Sequence, residues 1–241
     1  MPEPLEGQSA HDVAPALLGG IKPLMAIQFG TGPLAGGGEP HVLDEPRRLR
    51  AVVGDRVVLD STRAKLVFAP RSFMTPCVPR EDVAHGAAVE DAHVAGHVTL
   101  AQEDAQWFLE EERVFGHLRD PYHRVDVVEA SRPAAVIVAG TTIASTPRAK
   151  LLNETSLPLR VYVPAAAVRA GVLAPSDRRT RCPYKGEANY WHVTVDGRRL
   201  EDAAWSYETA LPESIGVRHH VCFLADGIET RLEEPAQRFT L

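Results

Sequence analysis

The sequences VVLDSTRAKL (57–66) and TIASTPRAKL (142–151) set the fold, because they belong to a stretch of chain that occurs twice. When 47–83 is aligned with 132–168 without gaps, nine of 37 positions are identical, and most of the others match in apolar or β-branched character. Both stretches contain short alternating runs separated by turn residues, which is the pattern of β-strands. The repeat therefore predicts a mainly β protein made of two fused copies of one small sheet unit.

The two predicted copies differ in length after this stretch. The closing sequence AGHVTL (95–100) aligns with VRHHVCFL (217–224), but it follows the repeated stretch much sooner in the first copy than in the second. The part missing from the first copy corresponds roughly to RCPYKGEANYWHVTVDGRRLEDAAWSYETALP (181–212). A sheet unit without this hairpin leaves its core uncovered, so we expect either the second copy or residues 1–43 to cover it.

Boundaries follow from this alignment. We predict an irregular Gly- and Pro-rich segment (1–43), a shortened first repeat (44–101), a connecting helix and linker (102–125) and a complete second repeat (126–235). The helix is predicted over EDAQWFLEEERVFGHL (103–118), where three apolar residues lie beside an acidic face.

Composition excludes several classes of protein. The formal net charge is −6 and the arginines are scattered, so we expect no nucleic-acid partner. No apolar run approaches the roughly 20 residues that span a bilayer, so we expect no membrane partner. MPEPLEGQSAHD (1–12) has no basic segment followed by an apolar one, and no two of the three cysteines form a CxxC pair. These features predict a cytoplasmic protein, for which a homodimer is one possibility.

Four segments then carry a family resemblance: RDPYHRVDV (119–127), RAKLLNETSLPLRVYVP (148–164), RCPYKGEANYW (181–191) and AWSYETALPE (204–213). They resemble the bacterial domain of unknown function 427 family, sometimes labelled nucleotidyltransferase-like, and the arrangement is similar to its two-copy actinobacterial members. The resemblance covers about residues 44–235. It implies a sheet unit akin to the β-tent fold of cereblon's ligand-binding domain and methionine sulfoxide reductase B, although the zinc cysteines of those relatives are missing here.

CPYKGEANYWHV (182–193) is the segment densest in reactive groups. Pro183 and Gly186 bracket a turn, which places Tyr184 and Lys185 at its tip or in a cleft. A buried lysine loses its proton more readily, so Lys185 could act as a base or form a Schiff base. The alternative is a surface ion pair between Lys185 and Glu187.

Aromatic side chains near this segment predict the walls of a pocket. In a strand, Tyr190 and Trp191 point to opposite faces, whereas Trp205 and Tyr207 share one. These four aromatics and Tyr184 form either a ligand pocket or the core of a small unit.

Three further residues are candidates for chemistry. Glu154 and Arg160 flank a turn and form either a structural ion pair or a general base and an anion clamp, with Tyr162 beside them. His123 is a candidate for proton transfer, with a structural hydrogen bond as the alternative. His93 and His97 lack a metal-binding motif such as HExxH, and no phosphate-loop or dinucleotide motif occurs, so we predict no metal and no cofactor.

The leading hypothesis is a cofactor-free enzyme of lyase, cyclase or isomerase type that acts on a small organic molecule. Its predicted catalytic residues are Lys185, Glu154 and His123, and its predicted substrate-binding residues are Arg160, Tyr162, Tyr184, Tyr190, Trp191, Trp205 and Tyr207. The alternative is a non-catalytic module in which the aromatics form a cage for a cationic or heterocyclic ligand.

Overall fold

The computed structural model describes residues 40–69, 74–101, 105–155 and 157–234 of the chain. These residues form two compact units. The first contains the described residues up to Val114 together with Asp120–His123, and the second contains Phe115–Arg119 and the described residues from Arg124 onward. Antiparallel strands dominate both, so the prediction of a mainly β protein is confirmed.

The first unit contains two sheets, with strand orders β1-β4-β5-β7-β6 and β3-β2-β8-β9. Its core consists of the inward-facing apolar residues of these strands, among them Leu49, Phe68, Val78 and Val98, which are almost fully buried. The elements are β1 (His41–Glu45), β2 (Leu49–Val53), β3 (Arg56–Ser61), β4 (Ala64–Phe68), β5 (Thr75–Pro79), a 3-10 turn (Arg80–Asp82), β6 (Val89–Asp91), β7 (His97–Leu100), β8 (Gln106–Leu109) and β9 (Glu112–Val114).

The second unit contains a seven-stranded sheet in the order β10-β13-β14-β18-β17-β16-β15 and a three-stranded sheet in the order β12-β11-β19. The elements are β10 (Val125–Ala130), β11 (Ala134–Val138), β12 (Thr141–Thr146), β13 (Ala149–Glu154), β14 (Arg160–Pro164), a 3-10 turn (Ala165–Ala167), β15 (Leu173–Cys182), β16 (Gly186–Val195), β17 (Arg198–Ser206), a 3-10 helix (Pro212–Val217), β18 (His220–Phe223) and β19 (Ile228–Leu232).

Strand order is the same in the two units where they overlap. The series β1-β4-β5-β7-β6 corresponds to β10-β13-β14-β18-β17, and β3-β2-β8 corresponds to β12-β11-β19. The isolated bridge Leu59–Val83 also recurs at the aligned positions of the second unit as Ala144–Val168. The long β15–β16 hairpin occurs only in the described part of the second unit. That the units are two copies of one ancestor stays a prediction, and the matching order supports it.

The prediction of a helix over residues 103–118 is wrong. Its described part forms a hairpin of β8 and β9, and β8 pairs with β2 through Leu49–Leu109 and Ala51–Trp107. Pairing with an existing sheet satisfies the backbone and outweighs the weak helical preference of this glutamate-rich run. The first unit consequently extends to Val114, beyond the predicted end of the first repeat at residue 101.

The predicted N-terminal segment falls mostly outside the described residues, which begin at residue 40. Its last part is a strand rather than irregular chain, because His41–Glu45 pairs with β4. In the described part of the chain, no helix combines the length and the apolar character needed to cross a bilayer.

The seven-stranded sheet of the second unit has an apolar cluster on each face. One cluster is aliphatic and is centred on Val163, Val193 and Val221. The other contains Tyr162, Tyr207 and Cys222. Because side chains alternate between the faces of a strand, neighbouring residues of β14 and β18 contribute to different clusters. The second cluster carries polar groups and positions the candidate site.

Candidate functional site

Lys185 lies in the tight turn between β15 and β16, whose last pair of residues is Cys182 and Gly186. Although a hairpin tip is normally exposed, Lys185 is only 9% exposed. Its carbonyl accepts hydrogen bonds from the Leu211 amide at 3.2 Å and the Ser214 hydroxyl at 3.3 Å. The tip is therefore folded down onto the segment that leads into the 3-10 helix.

Gly186 permits this close approach. It has a φ of +96°, and a Cβ atom there would lie 2.9 Å from the Thr209 carbonyl oxygen. A side chain would be strained in this conformation and would also push the backbone of Thr209 away. The turn is further held by Arg119, which donates to the Pro183 carbonyl at 2.9 Å and pairs with Glu213 at 2.6 Å.

The Lys185 ammonium forms an ion pair with the carboxylate of Glu154, the last residue of β13. Glu154 is 7% exposed, so both charges are nearly removed from water. The two alternative ion pairs that the sequence allows, Lys185 with Glu187 and Glu154 with Arg160, are both wrong. Glu187 pairs with Arg181 at 2.9 Å instead of with Lys185, and Glu154 pairs with Lys185 instead of with Arg160.

Tyrosine hydroxyls lie in the cluster beside this pair. Burial, with Cys222, Tyr207 and Glu154 nearby, raises the pKa of Tyr162 far above its ordinary value. Burial, with Cys182 and Glu154 nearby, raises the pKa of Tyr207 in the same way. Both phenols therefore stay protonated and can act only as neutral hydrogen-bonding groups near neutral pH.

Cys222 also belongs to this cluster, although it is not among the residues that the sequence analysis selects. Burial raises its pKa to about 12, despite the opposing influence of Arg160 and Lys185. Its sulfur is therefore a thiol rather than a thiolate nucleophile. The sequence contains one indication of this position. Cys222 and His220 are two residues apart in the closing strand, so both lie on the face of the sheet that carries Tyr162.

The partly exposed edge of the cluster is formed by Tyr190 and Trp205, which are directly paired across β16 and β17. Their ring centroids are 6.3 Å apart. The Trp205 indole donates to the Tyr162 hydroxyl at 3.0 Å, which connects this edge to the buried part. The Arg178 guanidinium lies over the Tyr190 ring, 4.6 Å from its centroid. A cationic side chain of the protein therefore already contacts the aromatic ring at this edge.

The structure brings seven of the predicted site residues together on one face of the second unit: Lys185, Glu154, Arg160, Tyr162, Tyr190, Trp205 and Tyr207. Trp191 packs instead against the aliphatic cluster on the opposite face and donates to the Ser206 hydroxyl at 3.0 Å. Tyr184 is buried at the turn, where its ring lies edge-on to His117. His123 belongs to the first unit, where its amide donates to the Asp120 carbonyl.

Metal-ligating side chains are not grouped in the part of the chain that the structure describes. Within residues 40–69, 74–101, 105–155 and 157–234, no three His, Cys, Asp or Glu side chains are placed to hold a metal ion. The polar groups of the cluster include an ammonium, a carboxylate, two phenols and a thiol. This set suits proton transfer and hydrogen bonding.

Comparison with known proteins identifies the second unit. Residues 126–234 match the family model described as Domain of unknown function (DUF427). The second unit is a DUF427 domain. The buried ion pair and its tyrosines thus lie inside the DUF427 domain, and the first unit lies outside the matched residues. A comparison of the chain with curated proteins found no match.

Proposed function

We propose that the DUF427 domain is a proton-transfer enzyme of isomerase or lyase type that acts on a small organic molecule. Glu154 is the proposed base and Lys185 the proposed acid. The observation that carries this proposal is the ion pair between them in a site where both residues are less than a tenth exposed. Active sites are places where burial and nearby charges are arranged around titratable groups.

Stability alone gives little reason for such a pair. Removing two charges from water costs several kcal/mol, so a buried ion pair is often no more stabilising than apolar residues of the same volume. The first unit has the same strand order but has Ala69 at the position that aligns with Glu154. The sheet can therefore be built without a carboxylate at this position, which favours a chemical role for it.

The proposed reaction needs a substrate with a carbonyl group and an adjacent C–H bond. The Glu154 carboxylate takes the proton from carbon, and the electron pair of that bond moves onto the carbonyl oxygen. Lys185 donates a proton to this oxygen, which gives an enol and a neutral amine. With a 2-hydroxy ketone this enol is an enediol. In the second half of the reaction the neutral amine of Lys185 takes the proton of the other hydroxyl group, and Glu154 returns its own proton to the former carbonyl carbon. The carbonyl and hydroxyl groups thereby exchange places, and no net proton is lost. The Tyr162 and Tyr207 phenols are neutral donors beside this charge.

Deuterium exchange tests this proposal even while the natural substrate is unidentified. The full chain is incubated in heavy water with a panel of small 2-hydroxy ketones and 3-oxo acids, and incorporation at carbon is measured by mass spectrometry. We expect Glu154→Gln, which keeps the shape of the side chain, to lower incorporation by at least about 100-fold. Lys150→Met is the matched control, because Lys150 lies on the same strand and forms a solvent-accessible ion pair with Glu129. Equal incorporation by a folded Glu154→Gln variant would contradict the proposal.

A second candidate is a non-catalytic binding module for an organic cation. The observation that favours it is the Arg178 guanidinium over the Tyr190 ring, because the same ring face would attract a ligand cation. In this case Arg178→Ala would free the ring and strengthen binding of tetramethylammonium, whereas Tyr190→Ala would abolish it. Calorimetry on the full chain measures both effects. Deuterium incorporation that depends on Glu154 would exclude this candidate.

A further inference from the structure

The first unit contains a cavity of about 160 Å³ on its five-stranded sheet. The cavity is lined by residues of β4, β5, β6 and β7 and of the turn after β6, including Val67, Thr75, Cys77, Glu90, His93 and Thr99. These residues lie outside the DUF427 match and outside the proposed catalytic site.

Smaller side chains in the first unit explain why this cavity exists. In the alignment of the two repeated stretches, Ala69 and Cys77 take the positions of Glu154 and Tyr162, at the end of β4 and within β5. The second unit thus fills this face with a carboxylate and a phenol, whereas the first leaves it open. The β15–β16 hairpin, whose turn carries Lys185, also has no counterpart in the described part of the first unit.

Strand pairing shows a third position at which the two units differ in side-chain size. Glu90 of β6 pairs with Thr99 of β7, as Trp205 of β17 pairs with Cys222 of β18. A carboxylate thus takes the place of an indole at the edge of the face. The exchange removes bulk and adds a negative charge at the mouth of the cavity.

The cavity has an apolar floor and a polar rim. Val67 and Cys77 are 3% and 1% exposed and form the floor. Burial raises the pKa of the Cys77 thiol, so this sulfur contributes as a small apolar group. The rim carries the Glu90 carboxylate and the His93 imidazole, which are both exposed. Among the described residues no basic side chain pairs with Glu90, so its charge is available to a ligand.

We infer that this cavity binds a small organic cation, namely a primary amine on an apolar body about the size of one aromatic ring. The volume is close to the roughly 150 Å³ of an apolar cavity that admits benzene. The ring would lie on Val67 and Cys77, and the ammonium group would pair with Glu90. An anion is disfavoured by the carboxylate, and a neutral ligand would leave it unpaired.

Calorimetry with benzylamine on the full chain tests this inference, with benzyl alcohol as the neutral ligand of matched shape. We expect benzylamine to bind at least about fivefold more tightly than benzyl alcohol, since an accessible ion pair contributes about 1 kcal/mol. Glu90→Gln should remove that difference. Glu90 is exposed, so the variant keeps its fold, and Glu112→Gln removes an exposed charge elsewhere in the first unit as a control.

Two further variants locate the binding. Ala69→Leu fills the cavity and should weaken both ligands, whereas Tyr190→Ala in the DUF427 domain should leave benzylamine binding unchanged. The inference is overturned if benzylamine does not bind, if benzyl alcohol binds equally well, or if Glu112→Gln has the same effect as Glu90→Gln. It is also overturned if binding depends on Tyr190 instead of Glu90. None of these results bears on deuterium exchange at Glu154, so the two proposals fail separately.

Discussion

Lys185 and Glu154 form an ion pair inside the DUF427 domain, although 31 residues separate them in the sequence. Glu154 ends β13, an interior strand of the seven-stranded sheet, and Lys185 reaches it from a hairpin turn that is folded back onto the domain. Besides its proposed chemical role, the pair has a structural one, because each charge neutralises the other in a buried site. Its removal should therefore affect stability as well as activity.

Replacing Lys185 by Met should destabilise the protein strongly, because the buried Glu154 carboxylate would lose the ammonium group that neutralises it. We expect a loss of about 3–5 kcal/mol in the free energy of unfolding, measured by urea denaturation. The double variant Lys185→Met/Glu154→Leu should recover much of this loss, because the buried carboxylate is removed as well. Lys150→Met, which breaks an exposed pair with Glu129, should leave the midpoint close to that of the wild type. Equal effects of the two single variants would contradict the buried position of the pair.

Gly186→Ala should lower stability more than other glycine substitutions of similar backbone conformation. Gly186 and Gly171 both have positive φ values, of +96° and +78°, but of these two only Gly186 has a backbone oxygen within 3.0 Å of the added Cβ position. We expect about 1–2 kcal/mol of strain at Gly171 and a larger loss at Gly186. Thermal unfolding of the two variants measures the difference. If both midpoints fall equally, the turn is not packed against Thr209 as closely as described.

Alkaline pH should destabilise the second unit. Burial raises the pKa of Cys222 from 9.0 to about 12, and it raises those of Tyr162 and Tyr207 above 10.0. The folded protein therefore keeps protons that the unfolded chain releases, so unfolding is favoured as the pH rises above about 9. Urea midpoints at about pH 8 and about pH 11 measure the decline, and Tyr207→Phe should make it less steep. An unchanged slope in this variant would exclude Tyr207 as a contributor.

Thiol reagents should modify the three cysteines in a fixed order. Cys77 and Cys222 are each 1% exposed, whereas Cys182 is partly exposed at the end of β15. We expect Cys182 to react first in the native protein, and all three to react at similar rates in urea. Peptide mass spectrometry resolves the sites, and Cys182→Ser should lose the fast phase. Early modification of Cys222 would show that the tyrosine cluster is open to solvent.

Agreement between sequence and structure is best where local pattern and tertiary contact act in the same direction. The repeat predicts strands around RAKL at 63–66 and at 148–151, and both runs lie mainly in strands, β4 and β13. Alternation also predicts that Tyr190 and Trp191 face opposite sides, and the structure confirms that separation. The run around Trp107 shows the opposite case, because its helical pattern gives way to pairing with β2.

The mainly β class, the strand positions in the repeat and the residue types available for chemistry can all be read from the amino-acid order, because strand periodicity and turn chemistry are local properties. The partner of each charge, in contrast, is fixed by tertiary packing. Lys185 could pair with Glu187 on the adjacent strand or with Glu154 on a distant one, and the packing of the turn against Thr209 selects Glu154. Such a choice depends on the distance between segments that are far apart in the chain, which no local pattern encodes.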